Sequence, residues 1–248
     1  MDLNVRDRLF FDKLGEILDI DPQKVKFISE NFNSFTMRRH TNQNYAYYDI
    51  FKRIENVPGS IAEFGIYWGN GMFNWLGLME TFLPLDRGRK VFGFDDFKGY
   101  KRQLELNDEK GVEYIKHLRG DFTVDISLIE TLVEVKNSDN LVPHDKRCII
   151  YNGDVTETFQ QFETENPGVR LSLALVDVNL QSPTKFIIDN CWRLMPPGGI
   201  MVFRGYGSKP WEGEAAAVDE FLDEQGINKL ETITYNNTPG AFITKGMR

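Results

Sequence analysis

The segment IAEFGIYWGNG has the residue types and spacing of a turn that holds a small molecule. Glu63 is followed by Gly65, Gly69 and Gly71, and then by the apolar stretch MFNWLGLMETF, which predicts a helix. Glycines at a strand-to-helix turn let the backbone approach a ligand closely, and the first amides of the helix can hold a carboxylate. An ammonium group beside that carboxylate favours an acidic partner. We therefore expect Glu63, Gly65 and Gly69 to bind the amino-acid end of a ligand.

A second acidic position follows about 30 residues later in FGFDDFKG, which contains Asp95 and Asp96. An acidic residue at the end of the second strand of a Rossmann-type sheet holds ribose hydroxyls. Either aspartate can alternatively cap the following turn. We assign Asp95 to the ribose and Asp96 to the turn. S-adenosylmethionine has both an amino-acid end and a ribose, and it is the cofactor that these two segments predict.

Two further acidic residues follow predicted strands. In YNGDVTETF, Asp154 comes after Gly153, where loops of this architecture border the adenine ring. Asp154 is equally well explained as a helix N-cap, because Asp-x-x-Glu resembles a capping box. In LALVDVNLQSPTK, Asp177 stands at a carboxyl strand end, the rim on which ligands bind in open α/β sheets. It is predicted to contact the cofactor and to take part in catalysis.

The order of apolar runs predicts the elements that position these residues. Five strand candidates span 60–67, 90–97, 147–154, 171–178 and 198–207, with helical stretches between them. Strands that are apolar on both faces and separated by helices indicate a parallel sheet covered on both sides. After a helix in GEAAAVDEFLDEQG, two more candidates at 230–236 and 240–246 predict an antiparallel edge hairpin. The prediction is a Rossmann-like α/β fold with a mostly parallel, seven-stranded sheet.

The chain shows no repeat or linker, so residues 1–248 are predicted to form one domain. Residues 1–57 have helical spacing of apolar positions and are interpreted as an N-terminal helical cap. Residues 99–143 are more charged and less regular. We interpret them as an insertion or lid with one or two helices.

Composition excludes several classes of partner. The net charge is −8, and no dense Lys/Arg stripe is present, which argues against nucleic acid. No stretch approaches the roughly 20 apolar residues needed to span a membrane. The amphipathic, partly acidic start does not resemble a signal peptide. Cys148 and Cys191 lie in apolar surroundings and are expected to be buried thiols, so the predicted location is the cytoplasm.

The chain resembles the macrocin O-methyltransferase family of class I S-adenosylmethionine-dependent methyltransferases. The resemblance rests on the ordered motifs TMRR, VPGSIAEFGIYWGNG, FGFDDFKGY, LVDVNLQSPTK, PPGGIMVFRGYG and AAAVDEF, from about Ser34 to the end. It implies methylation of hydroxyls on sugars of natural products, and a homodimer or larger assembly. It also implies that Glu63, Gly65 and Gly69 form the cofactor loop, that Asp95 binds ribose, and that Met37 flanks the cofactor.

The chain departs from this family at the metal and base positions. Asp177 matches the first aspartate of the family's metal site, but the second aspartate, a proposed general base, is Asn179 here. The paired aspartates that complete the magnesium site are replaced by Arg204 and Gly205. Magnesium prefers oxygen ligands, usually with carboxylates, so we expect no functional metal site.

Three functions remain open. In the first, the enzyme methylates a hydroxyl of a sugar, a nucleotide sugar or a similar small metabolite, with Asp177, His40 or His144 as base. In the second, it methylates a carboxylate or amine, and Arg204 docks an anionic substrate. Arg204 can alternatively form only an ion pair with Asp177. In the third, the chain binds S-adenosylmethionine without catalysis or acts as a scaffold.

Aromatic residues near these motifs are candidates for pocket walls. Tyr67 and Phe97 are expected on the cofactor side, and Trp68 and Tyr206 beside the substrate, together with Asn179 and Arg204. Trp211, in the predicted loop 209–213, is a further candidate. Aromatics at strand ends can equally belong to the core. A nicotinamide-dependent reductase is disfavoured, because no Tyr-x-x-x-Lys pair follows the fourth strand.

Overall fold

The computed structural model describes residues 3–100, 106–119, 123–236 and 240–246. Its strands are β1 (Ser60–Phe64), β2 (Val91–Asp95), β3 (Cys148–Asn152), β4 (Leu171–Val176), β5 (Ile200–Phe203) and β6 (Ala241–Thr244). Its helices are α1 (Leu3–Leu18), α2 (Pro22–Glu30), α3 (Phe32–Phe35), α4 (Arg38–Ile54), α5 (Asn70–Phe82), α6 (Leu106–Arg119), α7 (Ile126–Ser138), α8 (Val155–Glu165), α9 (Gln181–Leu194) and α10 (Glu212–Gln225).

The strands form one sheet in the order β3-β2-β1-β4-β5-β6. Strands β1 to β5 pair in parallel, and β6 pairs with β5 in the antiparallel direction. The chain therefore moves outward from β1 in one direction through β2 and β3, and then returns to the other side of β1 at β4. In open α/β sheets, ligands bind outside the carboxyl ends of the strands at such a switch point.

Alternation along the strands divides the core into two layers. Ile61 packs with residues of α4 and α5, whereas Ala62 and Phe64 pack with residues of α8 and α9 on the opposite face. Successive side chains of a strand point to opposite faces, so Glu63 shares the face of Ile61 and is directed at α5. Both layers consist of fully buried apolar side chains.

The predicted seventh strand is not confirmed. Residues 230–236 make a single antiparallel bridge, between Glu231 and Phe242, instead of a strand. Ile233 is buried in the core layer of α4 and α5, and the Tyr235 hydroxyl donates a hydrogen bond to Asp49 on α4. These contacts turn the segment away from the sheet edge, so the sheet has six strands within the described ranges. Residues 237–239, at the tip of the predicted hairpin, lie outside those ranges.

The segment 99–143 contains two helices in the structure. Helix α7 packs against β3 and α1, and the Asn137 side chain hydrogen-bonds the backbone of Arg147 and Cys148. It is therefore part of the layer that covers the sheet. Helix α6 packs against α10, and its Ile115 lies near the loops at the carboxyl edge of the sheet. The interpretation of this segment as a lid stays a prediction.

Both cysteines are buried as free thiols, as predicted. Burial raises the pKa of Cys148 to about 12, so its thiolate form is scarce at neutral pH. Within the described ranges, none of the helices combines the length and the apolar character required to cross a membrane.

Candidate active site

A cleft of about 430 Å³ opens at the carboxyl edge of the sheet, beside the switch point between β1 and β4. This volume lies in the range of small-molecule sites. The loops that follow β1 to β5 all contribute to its walls. The predicted site residues that line it are Glu63, Gly65, Tyr67, Trp68, Asp95, Gly153, Asp154, Asp177, Asn179 and Arg204.

Glycine is required at the turn between β1 and α5. Gly65 has φ +84°, and a Cβ added there would lie 2.2 Å from the carbonyl oxygen of Asp177 on the neighbouring strand. Gly69 has φ +76° and is the N-cap of α5. A Cβ on Gly71 would lie 2.3 Å from the Glu63 carboxylate. Positive φ values and close packing within the turn therefore leave no room for side chains at these positions.

Glu63 lies beneath the first turns of α5 and is only 1% exposed. The Trp75 indole donates a hydrogen bond of 2.9 Å to its Oε2. Burial raises the pKa of Glu63 to about 8, and the nearby negative charge of Asp177 adds to this effect. A cationic ammonium group in the cleft would favour the ionised form of Glu63, as its predicted role requires.

Asp95 ties the loop after β1 to the loop after β2. Its Oδ2 accepts from the backbone N–H of Tyr67, and its Oδ1 accepts from that of Phe97, both at 2.8 Å. These two residues have φ values of +51° and +55°, which non-glycine residues rarely adopt. Such strained conformations persist where the surrounding structure fixes them, and they cluster at functional sites. Burial raises the pKa of Asp95, which lies between the two amides.

Asp177 and Arg204 form an ion pair on the β4–β5 side of the switch point, whereas Asp95 lies on the β2 side. The guanidinium donates to Asp177 Oδ2 at 2.8 Å. The Arg204 side chain is 31% exposed, and the Asp177 side chain is 18% exposed. Burial raises the pKa of Asp177 to about 6 against the lowering effect of Arg204. The carboxylate in turn raises the pKa of Arg204, which stays charged. The ion-pair interpretation of Arg204 is thus observed, and its exposed part still faces the cleft.

An aromatic wall stands beside this ion pair. The Asn179 amide donates to the Tyr100 hydroxyl at 3.1 Å, and the Tyr100 and Trp211 rings are tilted with centroids 6.0 Å apart. The Trp211 indole packs between Gly205 and Gly111. A Cβ added to Gly205 would lie 3.0 Å from the indole, and a Cβ added to Gly111 would lie 3.1 Å from it. Tyr100 was not named as a candidate from sequence, although it is the last residue of the FGFDDFKGY motif.

A buried carboxyl group that packs against this wall was also not predicted from sequence. Glu214 lies in the first turn of α10 and is 0% exposed. Its Oε1 accepts from the backbone N–H of Gly205 at 2.8 Å. The sequence signal was weak, because a glutamate in the first turn of a helix is ordinarily a solvated residue that complements the helix dipole.

Asp154 is a helix N-cap, as one of its two interpretations from sequence predicted. Its Oδ1 accepts from the backbone N–H of Thr156 at 2.8 Å, which makes it the N-cap of α8. It also lines the cleft beside Gly153, whose φ is +146°. The contact with an adenine ring stays a prediction.

Several predicted residues are not brought into the cleft wall. Met37 directly precedes α4 and is 60% exposed, and His40 is exposed on α4, where its Nε2 accepts from Arg39. The Phe97 ring is buried in the core, so only its backbone reaches the site. The Tyr206 hydroxyl donates to Asp219 on α10. His144 precedes β3 and therefore lies toward the amino edge of the sheet, opposite the cleft.

The residues at the metal position do not suit a divalent cation. Among the described residues, no group of three or more His, Cys, Asp or Glu side chains is arranged to hold a metal ion. The Arg204 guanidinium also occupies Asp177 Oδ2 with a positive charge. A cation there would be repelled by Arg204 and would find too few carboxylates.

Comparison with solved structures identifies the fold. CalS11, a calicheamicin methyltransferase, aligns with a TM-score of 0.77 and 23% identity over 96% of this chain and 92% of that chain. Its apo form, described as a TDP-rhamnose 3'-O-methyltransferase, aligns with a TM-score of 0.72 and 22% identity over 96% and 93%. The O-methyltransferase NovP aligns with a TM-score of 0.64 and 20% identity over 84% and 80%. No protein-family profile matches the chain, and no curated protein does. The likeness shows that the chain has the Rossmann-like fold of these methyltransferases.

Proposed function

We propose that the chain is an S-adenosylmethionine-dependent methyltransferase that methylates a hydroxyl of a sugar or a similar small polar substrate without a divalent metal. One observation carries this proposal. One cleft at the switch point brings together the glycine turn after β1, Asp95 on the β2 side of that turn, and the Asp177–Arg204 ion pair on its β4–β5 side. We assign the β1–β2 side to the cofactor and the β4–β5 side to the group to be methylated, and we call them the cofactor end and the acceptor end.

The cofactor end has the donors and acceptors that S-adenosylmethionine needs. The glycine turn at Gly65 and the first amides of α5 suit its carboxylate. Glu63 suits its ammonium group. The Asp95 carboxylate accepts from two backbone amides and has lone pairs left that can accept from ribose hydroxyls. When bound, the cofactor supplies an electrophilic methyl group on a sulfonium. The chain's own residues bind, orient and deprotonate the acceptor.

Asp177 is our candidate for the proton acceptor, because it lines the cleft whereas His40 and His144 do not. With a methyl donor held by the glycine turn, Glu63 and Asp95, the acceptor hydroxyl would pass its proton to Asp177 as its oxygen takes up the methyl group. A pKa of about 6 makes Asp177 a better base than an ordinary aspartate, yet leaves it ionised at neutral pH. The positive charge of Arg204 stabilises negative charge on the acceptor oxygen and on the Asp177 carboxylate.

The choice of a sugar rests on two supports. CalS11 is described as acting on TDP-rhamnose, and NovP as an O-methyltransferase. In this chain, Tyr100 and Trp211 form an aromatic wall beside the ion pair, and apolar faces of a sugar ring pack well against aromatic rings. A nucleotide sugar is therefore the first substrate class to test.

A second candidate function uses Arg204 as an anchor for an anionic substrate whose carboxylate or amine is methylated. The exposed part of the Arg204 side chain favours this candidate, because a planar guanidinium binds carboxylates in bidentate fashion. Such a substrate needs no strong base. The two functions differ in whether Asp177 must accept a proton.

The test is an incubation with S-adenosylmethionine, a panel of nucleotide sugars and a panel of small carboxylic acids and amines, each with and without EDTA. We expect S-adenosylhomocysteine and a methyl ether from a nucleotide sugar, with equal turnover in EDTA. Asp177→Asn should abolish hydroxyl methylation. Methylation only of acids or amines supports the second candidate. Binding of S-adenosylhomocysteine with no product from any panel supports a non-catalytic role.

A further inference from the structure

The carboxyl group of Glu214 takes up the space beside Gly205. A Cβ added to Gly205 would lie 2.7 Å from Glu214 Oε2 and 2.9 Å from Asn179 Oδ1. A side chain at position 205 would therefore collide with both groups. The resemblance described above places an acidic side chain at 205. Here the sequence has glycine at that position, and a carboxyl group reaches the same place from α10.

The two oxygens of Glu214 differ in their surroundings. Oε1 accepts from the Gly205 amide, and the Tyr206 amide also faces the carboxyl group and lowers its pKa. Oε2 is buried and has no partner in hydrogen-bond geometry within the part of the chain that the structure describes. A buried, unpaired carboxylate oxygen is costly, but a neutral carboxylic acid presents an O–H donor at the same position. The Asn179 Oδ1 atom, which approaches the same point beside Gly205, is the acceptor that such a donor would meet.

The orientation of the Asn179 amide matters to the cleft. Its Nδ2 donates to the Tyr100 hydroxyl, and a hydrogen bond from the same side chain lowers the pKa of Asp177. If the amide turned over, its oxygen would face the Asp177 carboxylate, and that contact would be repulsive. A donor on the Oδ1 side therefore fixes the arrangement of the proposed proton acceptor.

We propose that Glu214, as a neutral acid, donates from Oε2 to Asn179 Oδ1 and so positions the Asn179 amide on Tyr100 and Asp177. This proposal rests on the proposed function and names a positioning residue for it. Burial and the negative charge of Asp177 raise the pKa of Glu214 to about 8, which keeps it neutral at pH 7. The other ionisable groups that face it from neighbouring elements are Arg204, which lowers its pKa, and Tyr100. Asp108 on α6 contacts the adjacent Gly213.

The experiment compares the wild type with Glu214→Gln, Glu214→Ala and Glu220→Gln. The glutamine keeps a neutral side chain with one donor and one acceptor, whereas the alanine removes both. Glu220 is the matched control, since it is an exposed carboxylate of α10 that pairs with Lys185. Three quantities are measured: affinity for S-adenosylhomocysteine by calorimetry, kcat and KM for the accepted substrate, and the infrared carbonyl stretch of a protonated carboxyl group at neutral pH.

We expect equal affinity for S-adenosylhomocysteine in all four proteins, because Glu214 lies at the acceptor end. Glu214→Gln should keep kcat within about three-fold, and Glu214→Ala should lower it by about ten-fold or more with little change in KM. Glu63 is also protonated at neutral pH and contributes a band to all four proteins. The wild type minus Glu214→Gln difference spectrum should therefore show one protonated-carboxyl band that the wild type minus Glu220→Gln difference spectrum does not show.

Three results would overturn the proposal. Equal loss of kcat in the glutamine and alanine variants would make Glu214 a proton-transfer group instead. Unchanged kcat in the alanine variant, or no protonated-carboxyl band in the wild type minus Glu214→Gln difference spectrum, would contradict the positioning role. A wild type that binds no S-adenosylhomocysteine would refute the proposed function, and the same difference spectrum would still decide whether Glu214 is a neutral acid.

Discussion

The Arg204 guanidinium donates to Asp177 Oδ2 at 2.8 Å, so a positive side chain occupies the position where the resemblance implies a metal ion. Asp177 is thereby kept ionised although it is largely buried. The pair also sets the charge on the β4–β5 side of the cleft.

Turnover should be unaffected by EDTA, because Arg204 supplies the positive charge. Arg204→Ala should lower kcat/KM by about 100-fold, since it leaves a buried carboxylate without its partner. Arg204→Lys should retain part of the activity, because the charge is kept but the planar fork is lost. Initial rates with and without EDTA and added Mg²⁺ check this. Activity that disappears in EDTA and returns with Mg²⁺ would contradict the metal-free mechanism.

Asp95→Asn should weaken binding of S-adenosylhomocysteine by about ten-fold to 100-fold. The asparagine amide cannot accept at both positions, so the turns at Tyr67 and Phe97 lose one of their anchors. Calorimetric titration measures the effect. Asp125→Asn is the matched control, because Asp125 accepts from the amide two residues ahead, at the start of α7 and outside the cleft wall. Equal affinities for the two variants would argue against a ribose role for Asp95.

Gly65→Ala should destabilise the fold by more than about 1 kcal/mol and abolish cofactor binding. The reasons are the positive φ of Gly65 and the 2.2 Å approach of an added Cβ to the Asp177 carbonyl. Gly77→Ala on the exposed face of α5 should stabilise by about 0.5–1 kcal/mol, because nothing lies within 4 Å and alanine favours helix. Urea unfolding of both variants tests the contrast. A Gly65→Ala protein as stable as the wild type would contradict the requirement for glycine at this turn.

The free energy of unfolding should depend on pH through Glu63. Its pKa is raised from 4.5 to about 8 in the folded chain, so the folded state holds a proton that the unfolded state releases. The contribution of Glu63 to stability is therefore fully present below about pH 4.5, falls as pH rises towards about 8, and stays constant above. Glu63→Gln, which cannot ionise but can still accept from Trp75, should remove this dependence.

Urea unfolding at about pH 5, 6.5 and 8.5 measures the effect of Glu63. The stability of Glu63→Gln relative to the wild type should increase steadily across that range. A constant difference between the two proteins would show that Glu63 is ionised throughout. Glu214 titrates in the same window, so the glutamine variants at both positions together should give the flattest profile.

Much of the sheet could be predicted because buried parallel strands are continuous apolar runs. Runs such as SIAEF and LSLALV are buried along their whole length, and they were identified from composition alone. The seventh strand could not be judged in this way. Residues 230–236 have a strand-like pattern, but contacts of Ile233 and Tyr235 with distant parts of the chain direct them elsewhere.

The cleft-lining residues after β1 and β2 could be named from sequence, because a short glycine turn and a strand-end aspartate are local patterns. Their predicted role in cofactor binding stays a prediction. The residues on the β4–β5 side were harder to name. Trp211 and Glu214 come from the loop after β5 and from α10, and they meet Tyr100 and Asn179 only in the folded chain. Met37 and His40 were predicted from resemblance or residue type, and neither lies in the cleft wall.

Isothermal titration with S-adenosylhomocysteine tests the central claim most directly, since it needs no substrate. We predict saturable binding of one molecule per chain, reduced by Asp95→Asn and unaffected by EDTA. The absence of any binding heat at ligand concentrations up to about 1 mM, with a correctly folded wild type, would contradict the assignment of the cleft to this cofactor.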